Sequence, residues 1–282
     1  MHLLLIGSDS LIARSLERNY KTSVVCRTSR RNRSRGEIYL DLIRYQNTDW
    51  SNFQGSKAII CGGVTSIDQC QKDPETSRLI NVTNTLRLVS DLNEANISVL
   101  FLSSSAVFGS DQLNRSVSDI PIPDTQYGML KKDAELQVLA KSCNQVVRLT
   151  KMFSTDPGSL LYEWSRKLLR NEPITAYGDL LVAPLSQQTV ADKLVDIAAE
   201  CGTGLYHLST STSVSYYEIA VKLAKYLNKP ESLVVRQGVN QDCVYRPKDP
   251  RLGVTSGTDV SCQEEIGKIF SDLSLGNVKK QH

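Results

Sequence analysis

The sequence contains no Cys-x-x-Cys pair, and its seven cysteines (Cys26, Cys61, Cys70, Cys143, Cys201, Cys243 and Cys262) are scattered and odd in number. That pattern argues against a disulfide framework and a structural zinc site, and a reducing cytoplasm is the expected setting. No metal-ligating cluster stands out. Long apolar runs are missing too. Leu3-Leu4-Leu5-Ile6 is stopped by Gly7-Ser8-Asp9-Ser10, too short for the apolar core of a signal peptide, and no later run reaches the ~20 residues of a spanning helix. A strong charge of either sign is also lacking. The net charge of +3 is too small to argue for nucleic acid as a partner. Five arginines (Arg27, Arg30, Arg31, Arg33 and Arg35) do cluster, but without the interleaved aromatics of an RNA-binding module. Internal repeats and low-complexity linkers are absent.

What remains is an ordinary globular composition, 40% hydrophobic and 22% charged, over 282 residues. Short apolar runs at 3–6, 23–26, 58–61, 99–102 and 145–149 alternate with helical patterns at 11–19, 74–95 and 126–142. Continuous apolar strands separated by helices predict a Rossmann-type, doubly wound parallel α/β sheet covered on both faces. Beyond residue 150 the rhythm loosens. Helices are expected at 160–169, 189–199 and 216–227, the last capped by Ser213 or Ser215, with a strand at 206–208. We therefore expect a dinucleotide-binding domain over 1–150 and a smaller α/β substrate lobe over 151–282, with possible exchange of chain between them. The smaller lobe should lie over the C-terminal edge of the sheet, where open α/β folds bind ligands.

Strand one runs directly into Gly7-Ser8-Asp9-Ser10-Leu11-Ile12-Ala13 and a helix, the context of a pyrophosphate-binding turn. The second strand ends on Val25-Cys26-Arg27, where an NAD-preferring domain places a carboxylate for the ribose 2′-hydroxyl. A basic end followed by Ser29, Arg30 and Arg31 suits a 2′-phosphate instead, since guanidinium groups bind phosphate bidentately. NADP(H) is thus expected in preference to NAD(H). Asp41 is placed either at the adenine amino group or in a turn. Tyr127 and Lys131, four residues apart, share one helix face. An ammonium beside a phenol favours the phenolate, so the tyrosine pKa is expected to fall toward working pH.

Three further stretches accompany these: Ala58-Ile59-Ile60-Cys61-Gly62-Gly63-Val64-Thr65-Ser66-Ile67-Asp68, Phe101-Leu102-Ser103-Ser104-Ser105-Ala106-Val107-Phe108-Gly109 and Val146-Val147-Arg148-Leu149. In this order, with Tyr127-x-x-x-Lys131, the set resembles the extended short-chain dehydrogenase/reductase family, and within it the dTDP-4-dehydrorhamnose reductase branch. Echoes continue through Pro184, Gly204-Leu205-Tyr206-His207-Leu208-Ser209 and Arg246-Pro247-Lys248, so the likeness covers nearly the whole chain. The family's Gly-x-x-Gly-x-x-Gly is altered here to Gly7, Ser10 and Ala13.

The resemblance implies a catalytic triad of Ser104, Tyr127 and Lys131. Tyr127 would give the proton, Ser104 would hold the carbonyl oxygen, and Lys131 would bind the nicotinamide ribose. It implies cofactor contacts from Gly7, Ser10, Leu11, Ile12, Arg27, Ser29, Arg30, Asp41, Leu42, Cys61, Gly62, Gly63, Thr65, Tyr127 and Lys131. Substrate contacts would come from Thr65, Ser104, Ser105, Val107, Lys151 and Pro184. The implied activity is NADPH-dependent reduction of a 4-keto group on a nucleotide-activated deoxysugar, by a monomer or homodimer with no membrane or nucleic-acid partner. Sugar dehydratases of this family carry an acidic pair where Ser105 and Ala106 stand, which disfavours elimination of water. An epimerase, or a catalytically silent NADP-binding regulatory subunit, remains the alternative. His207, on an apolar strand, is expected to serve the core.

Overall fold

The computed structural model describes residues 1–31, 37–111, 113, 115–239, 245–253 and 259–273; Arg33, Arg35, Cys243 and the polar end of the chain lie outside the described residues. The first half supplies β1 Leu3–Ile6, β2 Val24–Ser29, β3 Glu37–Tyr39, β4 Lys57–Ile60, β5 Ser98–Ser104 and β6 Gln145–Leu149. The second supplies β7 Ile174–Tyr177, β8 Leu181–Val182, β9 Gly204–Thr210, β10 Val214–Ser215, β11 Val234–Gln237 and β12 Asp259–Val260. The helices are α1 Leu11–Asn19, α2 Ile67–Lys72, α3 Pro74–Arg78, α4 Thr85–Glu94, α5 Gln126–Leu139, α6 Leu160–Leu169, α7 Gln187–Ala199, α8 Tyr216–Tyr226 and α9 Cys262–Ser271.

Eight strands form one sheet in the order β12-β9-β6-β5-β4-β1-β2-β3, and every pairing in it is parallel. This is the doubly wound α/β arrangement the apolar runs predicted. Side chains alternate across it. Leu3, Leu5, Leu100 and Leu102 meet α1 and α7 on one face; Leu4, Ile6, Val99 and Phe101 meet α4 and α5 on the other. A second core is built from α6, α8 and α9 with β7 and β11, while β9, β12 and α7 belong with the central sheet.

Several elements differ from the sequence expectation for local reasons. The second strand runs on to Ser29 because it gains a partner, the short polar strand β3. The expected helix over 74–95 is α3 and α4 joined by a π-helical turn, Leu79–Asn84, and a separate α2 precedes them. Asp73 accepts from Thr76 N and, with Pro74 behind it, starts a new helix. Ser215 caps α8 in a capping box with Glu218. No helix among the described residues is long and apolar enough to cross a membrane.

Candidate active site

A cavity of about 630 Å³ opens beyond the C-terminal ends of β1, β2 and β4. Gly7, Ser10, Leu11, Ile12, Ser29, Arg30, Asp41, Leu42, Cys61, Gly62, Gly63 and Thr65 all line it. Gly7 has φ of +88°, and a Cβ there would lie 2.7 Å from Gly62 Cα, so β1 and β4 leave the sheet closer together than a side chain permits. Ser10, in place of a glycine, caps α1: its Oγ accepts from Ala13 N at 3.1 Å. The first-turn amides of Leu11 and Ile12 are left for an anion. The cleft thus offers a dinucleotide close backbone approach, a helix N-terminus and, at its far end, guanidinium groups.

At that far end the arginines separate. Arg27 pairs with Glu17 on α1 and does not line the cavity, whereas Arg30 and Arg31 do. The pleat explains this: Arg27 stands opposite Leu5 in register, inside the sheet and over α1, while Arg30 and Arg31 lie past the strand end. Arg27, expected at the cofactor, thus stands apart from the residues that line the cleft. The Ser29 hydroxyl donates to Asp9 Oδ2 at 3.0 Å and accepts from Arg31 N at 3.0 Å. Arg31 Nε lies 3.9 Å from the same Asp9 carboxylate. Asp9, which no glycine-motif logic singles out, organises this end. Asp41 lines the cleft and also accepts from Ile43 N at 2.9 Å, so it serves its own turn at the same time.

Next to the cleft wall at Cys61 and Val64 stand β5 and α5, whose Ser104, Tyr127 and Lys131 do not themselves line the cavity. Ser104 Oγ accepts from Ala106 N at 3.2 Å at the start of the 3-10 turn Ser105–Phe108. Thr125 caps α5 by accepting from Gly128 N. A Cβ on Gly128 would lie 2.2 Å from Ala106 O, so the glycine lets the helix press onto the serine turn. This contact brings Tyr127 up to Ser104. Tyr127 is 9% exposed and Lys131 6%. Lys131 Nζ donates to Leu102 O at 2.8 Å and lies 4.5 Å from the Phe101 ring centroid and 5.9 Å from that of Tyr127.

The expected drop in the tyrosine pKa is not found. Burial pushes the Tyr127 phenol up, with the nearby Ser104 hydroxyl opposing it. Lys131 itself is pushed down to about 8, chiefly by burial, with Glu135 opposing. In this desolvated corner the loss of water outweighs the charge of a lysine turned toward a backbone carbonyl.

On the substrate side, Thr65 lines the cleft and is exposed, and Ser105 is buried beside Ser104. Val107, expected to touch substrate, is fully buried against Phe108 and Leu252, so it shapes the turn from beneath. Pro184 is buried. Its neighbour Leu185 donates from N to Lys151 O at 2.8 Å, which brings the Lys151 and Pro184 segments together. Lys151 is exposed and forms no salt bridge among the described residues, yet the protein packed around its amine lowers its pKa. Beneath the serine turn, Arg148 binds Glu135 through Nη2 at 2.8 Å and Nε at 3.1 Å, and His207 Nε2 lies 3.2 Å from Arg148 Nη1. His207 is a core residue, as its apolar strand suggested, with Nδ1 2.9 Å from Gly253 O.

The sequence pattern of the RmlD substrate binding domain matches residues 1–257. Among curated relatives, the spore coat polysaccharide biosynthesis protein SpsK of Bacillus subtilis is 22% identical over 176 residues, 62% of each chain. The dTDP-4-dehydrorhamnose reductase of Escherichia coli K12 is 24% identical over 164 residues, 55% of this chain and 54% of the relative. The matches thus span less than two thirds of these curated relatives. Among solved structures, a dTDP-4-dehydrorhamnose reductase of Bacillus anthracis in complex with NADP superimposes with a TM-score of 0.83 at 18% identity, covering 96% of this chain and 99% of that one. MoeE5 in complex with UDP-glucose and NAD superimposes with a TM-score of 0.79 at 20% identity, covering 96% and 98%. At these identities the structural likeness speaks for the fold.

Proposed function

This chain belongs to the RmlD substrate binding domain family, and from that premise we propose that it is an NADPH-dependent reductase acting on the 4-keto group of a nucleotide-linked sugar of the deoxysugar type. The observation that carries this is the grouping of Ser104, Tyr127 and Lys131 next to Cys61 and Val64 of a cleft whose other end is basic. A nicotinamide held in this cleft would supply the hydride for the carbonyl carbon.

The chain's own residues do the rest. Tyr127 is protonated at neutral pH and gives its proton to the forming alkoxide, although burial makes its phenol a weaker acid than usual. Ser104, already in polar contact with that phenol, donates to the same oxygen and fixes it. Lys131, one helical turn on, would bind the ribose hydroxyls and return positive charge to the site. Arg30 and Arg31 provide for the 2′-phosphate. In the smaller lobe, Trp164, Tyr177 and Tyr216 wall a cavity of about 420 Å³, which offers stacking surfaces for a nucleobase.

The test is NADPH oxidation with dTDP-4-dehydrorhamnose and related 4-keto nucleotide-sugars, alongside NADPH and NADH titrations. Turnover with one of these sugars and at least about tenfold tighter NADPH binding, lost in Arg30→Ala with Arg31→Ala, is the expected result. Tight NADPH binding with no turnover across the panel would remove the reductase. Equal affinity for the two cofactors would remove the NADP preference.

A further inference from the structure

Asp9 and Arg31 stand together at the far end of the cofactor cleft, and both line it. Arg31 Nε lies 3.9 Å from Asp9 Oδ2. Ser29 joins them: its hydroxyl donates to Asp9 Oδ2 at 3.0 Å and accepts from Arg31 N at 3.0 Å. Ser29 is buried and is the last residue of β2, held opposite Tyr39 of β3 in register. One fixed hydroxyl therefore sets a carboxylate and a guanidinium side by side in the wall of the cleft.

Stability does not account for this arrangement. The side chains of Asp9 and Arg31 are 36% and 48% exposed, and an ion pair so loose and so open to water contributes little to the fold. A ligand can part it at small cost. The place of the pair is more telling. In dinucleotide-binding domains the carboxylate that meets the ribose 2′-hydroxyl stands at the end of the second strand. In this chain Arg27 is there, and it pairs with Glu17. Asp9 comes instead from the turn after β1, and Ser29 holds it at the end of β2. A carboxylate missing from one element is supplied to the same place by another.

The two halves of the pair suit different ligands. A carboxylate only accepts, and one bond from Ser29 leaves it room for a second donor such as a ribose hydroxyl. It repels a phosphate at the same position. A guanidinium only donates, and it binds phosphate oxygens far more strongly than a neutral hydroxyl. Arg30, which lines the same end of the cleft, adds to the second half. A 2′-phosphate therefore draws Arg31 away from Asp9, whereas a 2′-hydroxyl donates to Asp9 and leaves Arg31 to water.

We propose that Asp9 and Arg31 form a two-way cofactor selector, in which Asp9 is a specificity-determining residue that favours the 2′-hydroxyl of NAD(H) and opposes the preference for the 2′-phosphate of NADP(H) created by Arg30 and Arg31. This rests on the nicotinamide-cofactor part of the function proposed above and names what limits its choice between the two forms.

The test is fluorescence titration of the full chain with NADPH and with NADH at one salt concentration. Asp9→Asn keeps an acceptor for Ser29 and removes the charge. It should tighten NADPH, weaken NADH and raise the ratio of NADPH to NADH affinity by about tenfold. Arg31→Ala should lower the same ratio by about tenfold, through NADPH. Thermal melting confirms that both variants fold, as their exposed side chains lead us to expect. A ratio that Asp9→Asn leaves unchanged or lowers overturns the selector. Unchanged NADH affinity in Asp9→Asn overturns it too, as does parallel weakening of both cofactors, the result of a merely structural Asp9. A wild-type ratio of one, with the two variants moving it in opposite directions, removes the NADP preference and keeps the selector. Binding of neither cofactor by the wild type overturns the reductase function and this inference together.

Discussion

Asn81 grips the backbone of Val64 from both sides: its Oδ1 accepts from Val64 N at 2.8 Å and its Nδ2 donates to Val64 O at 2.8 Å. Asn81 is 3% exposed and sits in the π-helical turn between α3 and α4. A Cβ on Gly63, whose φ is +143°, would lie 2.9 Å from Asn81 Oδ1, so the loop from Gly62 to Thr65 is moulded on this side chain. That loop lines the cofactor cleft. Asn81→Ala strands two backbone groups, which costs roughly 2 kcal/mol. NADPH binding should weaken by about tenfold, because the loop loses its hold. Denaturant unfolding and a fluorescence titration of NADPH check both.

Gly7 makes the tightest backbone contact of the cleft. Gly7→Ala demands both a left-handed conformation and a Cβ at 2.7 Å from Gly62 Cα. We expect NADPH affinity to fall by more than about tenfold and the melting temperature to drop. Unchanged affinity would mean that the two loops part without consequence for the cofactor.

Tyr127→Phe removes the proposed proton donor and leaves the ring in its buried place. Turnover of a keto-sugar substrate should fall by at least about a hundredfold, the usual worth of a positioned general acid. NADPH affinity should stay within about twofold, since Tyr127 stands apart from the arginine end of the cleft. Single-turnover kinetics and equilibrium titration separate the two effects.

Acid should weaken the fold through His207. Burial, with Arg148 beside it, holds this imidazole down at about 4 against an ordinary 6.5. The unfolded chain takes up the proton first. The stability this group contributes is therefore complete above pH 6.5 and is lost as pH falls toward 4. Its full size is about 3 kcal/mol. Unfolding titrations at pH 7 and pH 5 should show wild type losing more stability than His207→Gln between these values; equal losses would place the acid sensitivity elsewhere.

Much of this was legible in the chain itself. Leu3–Ile6 and the apolar core of β5 read as buried parallel strands because their neighbours on both faces are helices, and period and punctuation encode that. The glycine turn, the serine turn and the Tyr127–Lys131 spacing were equally local, and so were found. The broken helix over 74–95 was less legible, since a π-helical turn keeps helical periodicity nearly intact. Strand β3, three residues of mixed polarity, carries almost no pattern of its own.

The sequence by itself determined the class of fold, the order of its elements and the residue types brought to the cleft, because these follow from periodicities and turns within a few residues. Only the tertiary structure decided which arginine meets the cleft and which pairs with Glu17, since that turns on where β2 ends against its neighbours. It alone placed Asp9 against Ser29 and Asn81 against Val64 across long stretches of chain. It also reversed the expected direction of the Tyr127 pKa. The sense of such a shift is set by how much water a site excludes, a property of the packed whole that no spacing of two residues contains.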